Sequence, residues 1–252
     1  MILNRLGNKR RMAKRILPFI PPHRHWIEPF FGAGGLFFAK PKAQRNIVND
    51  LDGEVYNLFC VVQDRHHELA EAWAGTPIHD DLWNDWKKNA PTHPVWRAVR
   101  FLYQSNYGYM GKPQTLRLNL KNTKRNLQDR IQATREALYD VEFTNCDFRT
   151  MLGRIPLSPA ERREAFVYAD PPYLGTNNNY GEAAKWSEQD MRDLMHLLAG
   201  CGLRFAMSEF DHPAVVRLAL ELGLQVHDLG ERKNIGNRRT ELLITNGTEK
   251  AP

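Results

Sequence analysis

Cysteine is scarce. Cys60, Cys146 and Cys201 are the only three in 252 residues, and no two form a Cys-x-x-Cys pair. That excludes a disulfide framework and a structural zinc site, and it fits a chain of a reducing compartment. No run approaches about 18 apolar residues free of charge, which excludes a membrane-spanning helix. The opening Met1-Ile-Leu-Asn-Arg-Leu-Gly-Asn-Lys-Arg-Arg11 puts basic residues where a secretory signal needs an apolar core. Internal repeats are absent, as is low complexity beyond Asn177-Asn-Asn179. What remains, 42% hydrophobic, 10% aromatic and 25% charged, is the composition of a folded protein rather than a disordered one. The length suits one large domain, or a core domain with a smaller insertion.

Acidic residues are missing from the first 27 positions, which carry Arg5, Lys9, Arg10, Arg11, Lys14, Arg15 and Arg24. These account for the net charge of +6, because the rest of the chain is nearly neutral. A second basic stretch runs from Lys112 to Arg135 with only Asp129 opposing, and a third is Arg232, Lys233, Arg238 and Arg239. Such clusters suit a polyanion, since phosphate contacts release counterions. Solvated surface is the plainer reading of charge taken alone.

Strand and helix patterns alternate at both ends of the chain. Met12, Ala13, Ile16 and Leu17 share a helical face that ends near Pro18, and Val55, Leu58, Phe59 and Val62 recur at helical spacing. Short strands are expected at His25 to Phe30, Asn46 to Asp50, Val141 to Thr144, Phe166 to Ala169, Arg204 to Met207, Gln225 to Leu229 and Glu241 to Thr245. Helices are expected at about 187–200 and 211–222. Residues 64–140 read differently, as mostly helical and rich in Trp and His, broken by a polar segment from Asn106 to Thr123. Alternation of this kind predicts an α/β fold with a largely parallel sheet, whose ligands bind at the carboxyl ends of the strands. The expected domains are 1–63 with 141–252, and an insertion over 64–140.

Two turns follow predicted strands and are expected to share one crevice. Phe30-Phe-Gly-Ala-Gly-Gly35 lets the backbone approach a ligand, and Asp50 closes the next strand, where a carboxylate accepts from ribose hydroxyls. Nicotinamide, flavin and S-adenosylmethionine enzymes all use such a turn, and so do turns needed only for packing. Asp170-Pro-Pro-Tyr173 is more specific. Its prolines remove two backbone donors, leaving carbonyl oxygens free to accept. Asp170 adds a carboxylate and Tyr173 an aromatic face, a set that suits an exocyclic amine on a base. Acceptors set out of the base plane favour a pyramidal nitrogen able to attack a methyl group, a positioning and electrostatic task that needs no metal.

The chain resembles the Dam-like (D12 class, α group) DNA adenine-N6 methyltransferases. The resemblance rests on Leu6-Gly-Asn-Lys9, Glu28-Pro-Phe-Phe-Gly-Ala-Gly34, Asn49-Asp50, Cys146-Asp-Phe148, Asp170-Pro-Pro-Tyr173 and Arg239-Thr-Glu-Leu-Leu-Ile-Thr-Asn246, in the family's order. It implies a Rossmann-like S-adenosylmethionine-dependent methyltransferase fold, with one antiparallel strand near the C-terminus and a mostly helical target-recognition insertion. It implies an enzyme, a site-specific adenine methyltransferase using S-adenosylmethionine on a base flipped from double-stranded DNA. Carried over by position, the cofactor contacts are Arg5, Lys9, Glu28, Phe31, Gly32, Gly34, Asp50, Asp147, Phe148, Asp170 and Tyr180. Asp170, Pro171 and Pro172 form the catalytic turn with Tyr173, which stacks on the base. Tyr180 and Trp186 are candidates for closing over the site. Arg5 stands where the family often has an aromatic residue, and its planar guanidinium can stack in its place.

In the insertion, Leu116, Leu118 and Leu120 alternate with Arg117, Asn119 and Lys121. One face is expected to pack on the helices while the other meets DNA, with an amphipathic edge strand as the alternative. Asn106, Lys112, Arg117, Asn119, Lys121, Lys124 and Arg125 are the candidate DNA contacts. His23, His25, His66 and His67 lack carboxylate or cysteine neighbours at ligand spacing, so no metal is expected. Trp73, Trp83, Trp86 and Trp96 read as core of the insertion. The resemblance covers lone, restriction–modification and phage-borne enzymes alike, placed in the cytoplasm on DNA, with no membrane and no obligatory protein partner. Methylation of one flipped base at a time is compatible with a monomer. The competing readings are a DNA-binding relic without turnover and an amine methyltransferase acting on RNA or on a protein glutamine. Such glutamine enzymes typically begin the motif with Asn. A nicotinamide oxidoreductase is more remote, since Asp-Pro-Pro-Tyr would have no task there.

Overall fold

A computed structural model of the chain describes residues 1–5, 7–111, 114–118, 120, 123–176, 186–234 and 237–247. The strands are β1 (His25–Glu28), β2 (Arg45–Asn49), β3 (Val141–Thr144), β4 (Ala165–Ala169), β5 (Arg204–Phe210), β6 (Gln225–Asn234) and β7 (Asn237–Thr245). The helices are α1 (Ala13–Ile16), α2 (Gly53–Asp64), α3 (His66–Gly75), α4 (Asp80–Lys88), α5 (Pro94–Tyr107), α6 (Thr123–Leu138), α7 (Phe148–Gly153), α8 (Pro159–Arg163), α9 (Glu188–Gly200) and α10 (Pro213–Glu221). None of these helices is long and apolar enough to cross a membrane.

Seven strands form one sheet in the order β3-β2-β1-β4-β5-β7-β6. The β1–β2, β1–β4 and β4–β5 pairs are parallel. β7 runs antiparallel to both of its neighbours, β5 and β6, and is the expected antiparallel strand. Strand order reverses between β1 and β4, the position at which open parallel sheets bind their ligands. β4, Ala165-Phe-Val-Tyr-Ala169, is buried at every position, as a strand covered on both faces must be.

The chain forms two compact units. One comprises Met12–Phe31, Ala43–Leu51 and Thr144–Pro252. Here Ile27, Ile47, Val167 and Met207 of the strands meet Met151 and Leu152 of α7, Met191, Leu194 and Leu198 of α9, and Val215 and Leu218 of α10. On the alternate face of β4, Phe166 and Tyr168 stack on Trp26, each with ring centroids 6.0 Å apart. α9 begins at a capping box in which Ser187 and Asp190 satisfy each other's backbone donors.

The other unit comprises Met1–Arg11, Gly32–Lys42 and Asp52–Phe143. α5 packs on α2 and α3, and α3 on α6. The helical spacing of Val55, Leu58, Phe59 and Val62 is buried as expected. Trp73, Trp83 and Trp86 are core residues, whereas Trp96, at the start of α5, is 43% exposed and departs from that expectation.

Two local expectations are corrected. The alternating segment 116–121 forms no strand among its described residues. Its only pairing is a bridge between Leu116 and Gly108, and Leu118 is 51% exposed instead of packed on helices. Alternation alone supplies no partner strand, and none pairs with it among the described residues. β6 and β7 extend beyond the expected Gln225 to Leu229 and Glu241 to Thr245. They continue as a charged hairpin through a bulge at Asp228 and Glu231. Backbone pairing sustains that extension where no apolar pattern marks it.

Candidate active site

Chemistry collects at the carboxyl edge of the parallel strands. β1 ends at Glu28, 2% exposed, whose Oε2 accepts from Trp26 Nε1 at 2.9 Å. β4 ends at Ala169, and Asp170, half-buried, opens the proline turn. β5 ends at Glu209 and Phe210. Because β7 is antiparallel, its early part lies at this same edge, with Glu241 opposite Phe210. Behind the turn, Tyr168 OH and Ser208 Oγ are 2.8 Å apart. Burial, and then the carboxylates of Asp170, Glu241 and Glu28, push the Tyr168 phenol well above its ordinary value. Burial, Asp170 and Glu241 do the same to Tyr173. Both phenols therefore stay protonated.

The proline turn is held from below. Tyr173 is 7% exposed, its ring edge-on to Phe210 with centroids 4.6 Å apart. Its hydroxyl donates to Glu241 Oε1 at 2.5 Å. The next amide, Leu174 N, faces both oxygens of Glu209 at 3.3 Å. Thr176 closes the turn, its Oγ1 donating to Tyr173 O at 2.7 Å.

At the end of β2, Asn49 ties three segments together. Its Nδ2 donates to Pro29 O at 3.0 Å and Cys146 O at 2.9 Å. Its Oδ1 accepts from Thr144 Oγ1 at 2.8 Å and Cys146 N at 3.1 Å. Asn145 Nδ2 donates to Asp50 O at 2.7 Å. Asp147 caps α7 by accepting from Arg149 N at 2.8 Å. The Arg149 guanidinium reaches Asp147, Asp190 and Asp193 at 3.2, 2.6 and 2.7 Å. Those carboxylates outweigh its desolvation and raise its pKa above the ordinary arginine value. Phe30, Phe148 and Trp186 form a three-ring wall with centroids 5.5 to 5.7 Å apart. Trp186 Nε1 is buried in it without a hydrogen-bond partner.

In the other unit, Gly32 and Gly34 adopt φ of +53° and +66°, the left-handed region that glycine permits. A Cβ on Gly32 would meet nothing within 4 Å. Gly35 is constrained differently: a Cβ there would collide with Asn8 Oδ1 and lie 2.7 Å from Lys9 N. The glycine turn is thus packed against the Asn8 side chain and the Lys9-Arg10 backbone. Lys9 is 3% exposed and its Nζ donates to Gly7 O at 3.3 Å. Arg5 pairs with Asp52 at 2.8 Å, and its guanidinium carbon is 5.9 Å from the Phe101 ring centroid. Asp52 in turn caps α2.

The candidate DNA contacts divide. Arg117 and Arg125 are exposed. Asn106 Nδ2 is engaged by Ile2 O and Leu102 O, each at 3.0 Å, and Lys124 Nζ by Thr76 O at 2.6 Å. Lys112, Asn119, Lys121 and Tyr180 lie outside the described residues. Sequence reasoning passed over Glu209, Glu241, Asn49 and Arg149 as supports of the site. The signals were Asn49 in the Asn49-Asp50 motif, the acid Glu209 at a strand end and the acid inside Arg239-Thr-Glu-Leu-Leu-Ile-Thr-Asn246.

Residues 6–219 match the family model described as D12 class N6 adenine-specific DNA methyltransferase. Among curated relatives, the Type II methyltransferase M1.LlaDCHI of Lactococcus lactis subsp. cremoris is 23% identical over 95% of this chain and 93% of its own length. The DNA adenine methylase of Haemophilus influenzae is 27% identical over 66% of this chain and 61% of its own. The modification methylase StsI of Streptococcus sanguinis is 23% identical over 82% of this chain, which spans only 34% of that protein. Among solved structures, the rRNA methyltransferase aviRa of Streptomyces viridochromogenes aligns with a TM-score of 0.41 at 15% identity, covering 94% of this chain and 84% of that one. With the motifs in order and the family model spanning most of its length, the chain belongs to the D12 class N6 adenine-specific DNA methyltransferases.

Proposed function

We propose that this protein transfers a methyl group from S-adenosylmethionine to the N6 amine of an adenine flipped out of double-stranded DNA. The observation that carries the reading is Asp170-Pro-Pro-Tyr173, placed at the carboxyl end of β4 beside the reversal of strand order. Each unit, taken by itself, carries residues that suit a part of the cofactor. Gly32 leaves open space above a positive-φ backbone, suited to the close approach of a polar chain. The wall of Phe30, Phe148 and Trp186 suits a purine, and its buried, unpartnered N–H suits a ring nitrogen. Lys9 is a cation for the cofactor carboxylate, and Asp50 an acceptor for its ribose.

Bound S-adenosylmethionine supplies an electrophilic methyl group. The chain supplies position and field. Asp170 and the Pro171 carbonyl accept from the N6 hydrogens and turn the nitrogen lone pair out of the base plane. Pro172 has no N–H to compete for those acceptors. Tyr173 gives the base a stacking face. Residues 64–140 are the proposed target-recognition segment, with Arg117 and Arg125 on its surface.

The test is to incubate the protein with labelled S-adenosylmethionine and mixed-sequence duplex DNA, then digest the DNA to nucleosides. Label in N6-methyladenine supports the reading. Bound cofactor with no label in DNA transfers it to an RNA or protein acceptor, or to a relic without turnover.

A further inference from the structure

We propose that Glu241 is a positioning residue for methyl transfer. Through the Tyr173 hydroxyl, its carboxylate fixes the ring on which the target base rests. The inference depends on the adenine-methyltransferase reading and adds a residue to it. Three consecutive residues after the prolines are each gripped by the β5–β7 pair. Glu241 Oε1 accepts from Tyr173 OH at 2.5 Å, Glu209 accepts from Leu174 N at 3.3 Å, and Arg239 Nη2 donates to Gly175 O at 3.5 Å. The register accounts for this division. Phe210 and Glu241 are opposite one another and so share a face of the sheet, while Glu209 and Leu242 share the other. Tyr173 drops onto the Phe210–Glu241 face, where Arg239, two residues before Glu241, lies over the far side of the motif with its guanidinium carbon 5.5 Å from the Phe210 ring centroid.

Glu209 and Glu241 are both 0% exposed. A buried carboxylate is costly unless hydrogen bonds satisfy it, so two of them beneath one turn specify where that turn sits. A ring held only by apolar packing slides and tilts. The phenol–carboxylate bond removes that freedom at the end of the ring remote from the backbone. Stacking geometry at a reacting base tolerates little error, since displacement by about 1 Å costs up to about a hundredfold in rate.

The experiment measures kcat on mixed-sequence duplex DNA, KM for DNA and Kd for the cofactor in wild type, Tyr173→Phe, Glu241→Leu, Glu241→Gln and the Tyr173→Phe/Glu241→Leu double variant. Tyr173→Phe keeps the ring and deletes only the hydroxyl, so it tests the bond even where Glu241→Leu fails to fold. The expected result is a fall in kcat of about ten- to a hundredfold for Tyr173→Phe and Glu241→Leu, with cofactor Kd held within about twofold. Glu241→Gln, which keeps an acceptor, restores kcat to within about threefold of wild type, and the double variant loses little beyond either single one. Wild-type kcat in Tyr173→Phe, Gln falling as far as Leu, or losses that multiply in the double variant each overturn the proposal. A wild-type protein that never labels adenine overturns the underlying reading and this inference with it. An active wild type with an indifferent Tyr173→Phe overturns the inference alone.

Discussion

Gly35 approaches the backbone nitrogen of Lys9 so closely that a single added carbon would stand 2.7 Å from it. Gly35→Ala is therefore expected to destabilise the protein by about 1–3 kcal/mol through overpacking against a rigid partner. Gly32→Ala faces open space and bears only the strain of a positive φ, about 1–2 kcal/mol. Urea unfolding of the two variants checks the order. Equal midpoints would remove the special status of Gly35.

Asp170→Ala is expected to lower methyl transfer to DNA by about a hundredfold or more while leaving the urea midpoint close to wild type, because the proposed task of its carboxylate is to hold the transferring amine. Labelled transfer with mixed-sequence duplex is the measurement, and a fully active variant would remove Asp170 from its role.

Asn49→Ala strips the ends of β1, β2 and β3 of five hydrogen bonds at a residue 1% exposed. The expected loss is about 2–4 kcal/mol of unfolding free energy, since several buried donors and acceptors are left unmatched. A change below about 0.5 kcal/mol in denaturant titration would mean that water replaces the amide.

Arg149 makes stability depend on pH in one direction. Burial opposes ionisation of Asp190, but bonds from Ser187 and Arg149 overcome it, so the carboxyl lies below its ordinary value of 3.8. Asp193 is lowered by its bonds from Arg149 and Gln189. A carboxylate depressed in the folded state contributes fully above its unfolded pKa, and that contribution is lost as pH falls through the folded pKa. The stability gap between wild type and Arg149→Met is thus expected to be flat from about pH 7 to pH 5 and to shrink below pH 3.8. Urea unfolding along that range gives the profile, and a gap that widens with acid would contradict it.

Arg117 and Arg125 are exposed on the proposed recognition segment. Replacing both with Ala is expected to weaken duplex binding and to reduce the slope of log K against log salt by about 2, one for each lost phosphate contact. An unchanged slope would return both to ordinary solvated surface.

Some elements were legible in the sequence because their cause is local. Continuous burial over Phe166 to Ala169 and the helical spacing of Val55 to Val62 show in the residues themselves. So do two adjacent prolines after a strand. The supports beneath the proline turn were not legible. Glu241 meets Tyr173 across 68 positions and Glu209 meets Leu174 across 35, through a strand register that no short pattern encodes. The segment 116–121 shows the converse. Its alternation is a real local signal, but a strand also needs a neighbour, and among the described residues only Gly108 supplies a bridge.

The position of β7 sets an order on assembly. It lies between β5 and β6 although it follows both in the chain, so the sheet stays open until synthesis has passed Thr245. Glu241 therefore reaches Tyr173 only as that gap closes. A nascent chain halted before β7 carries every residue of the proline turn yet lacks the strand that seats its tyrosine.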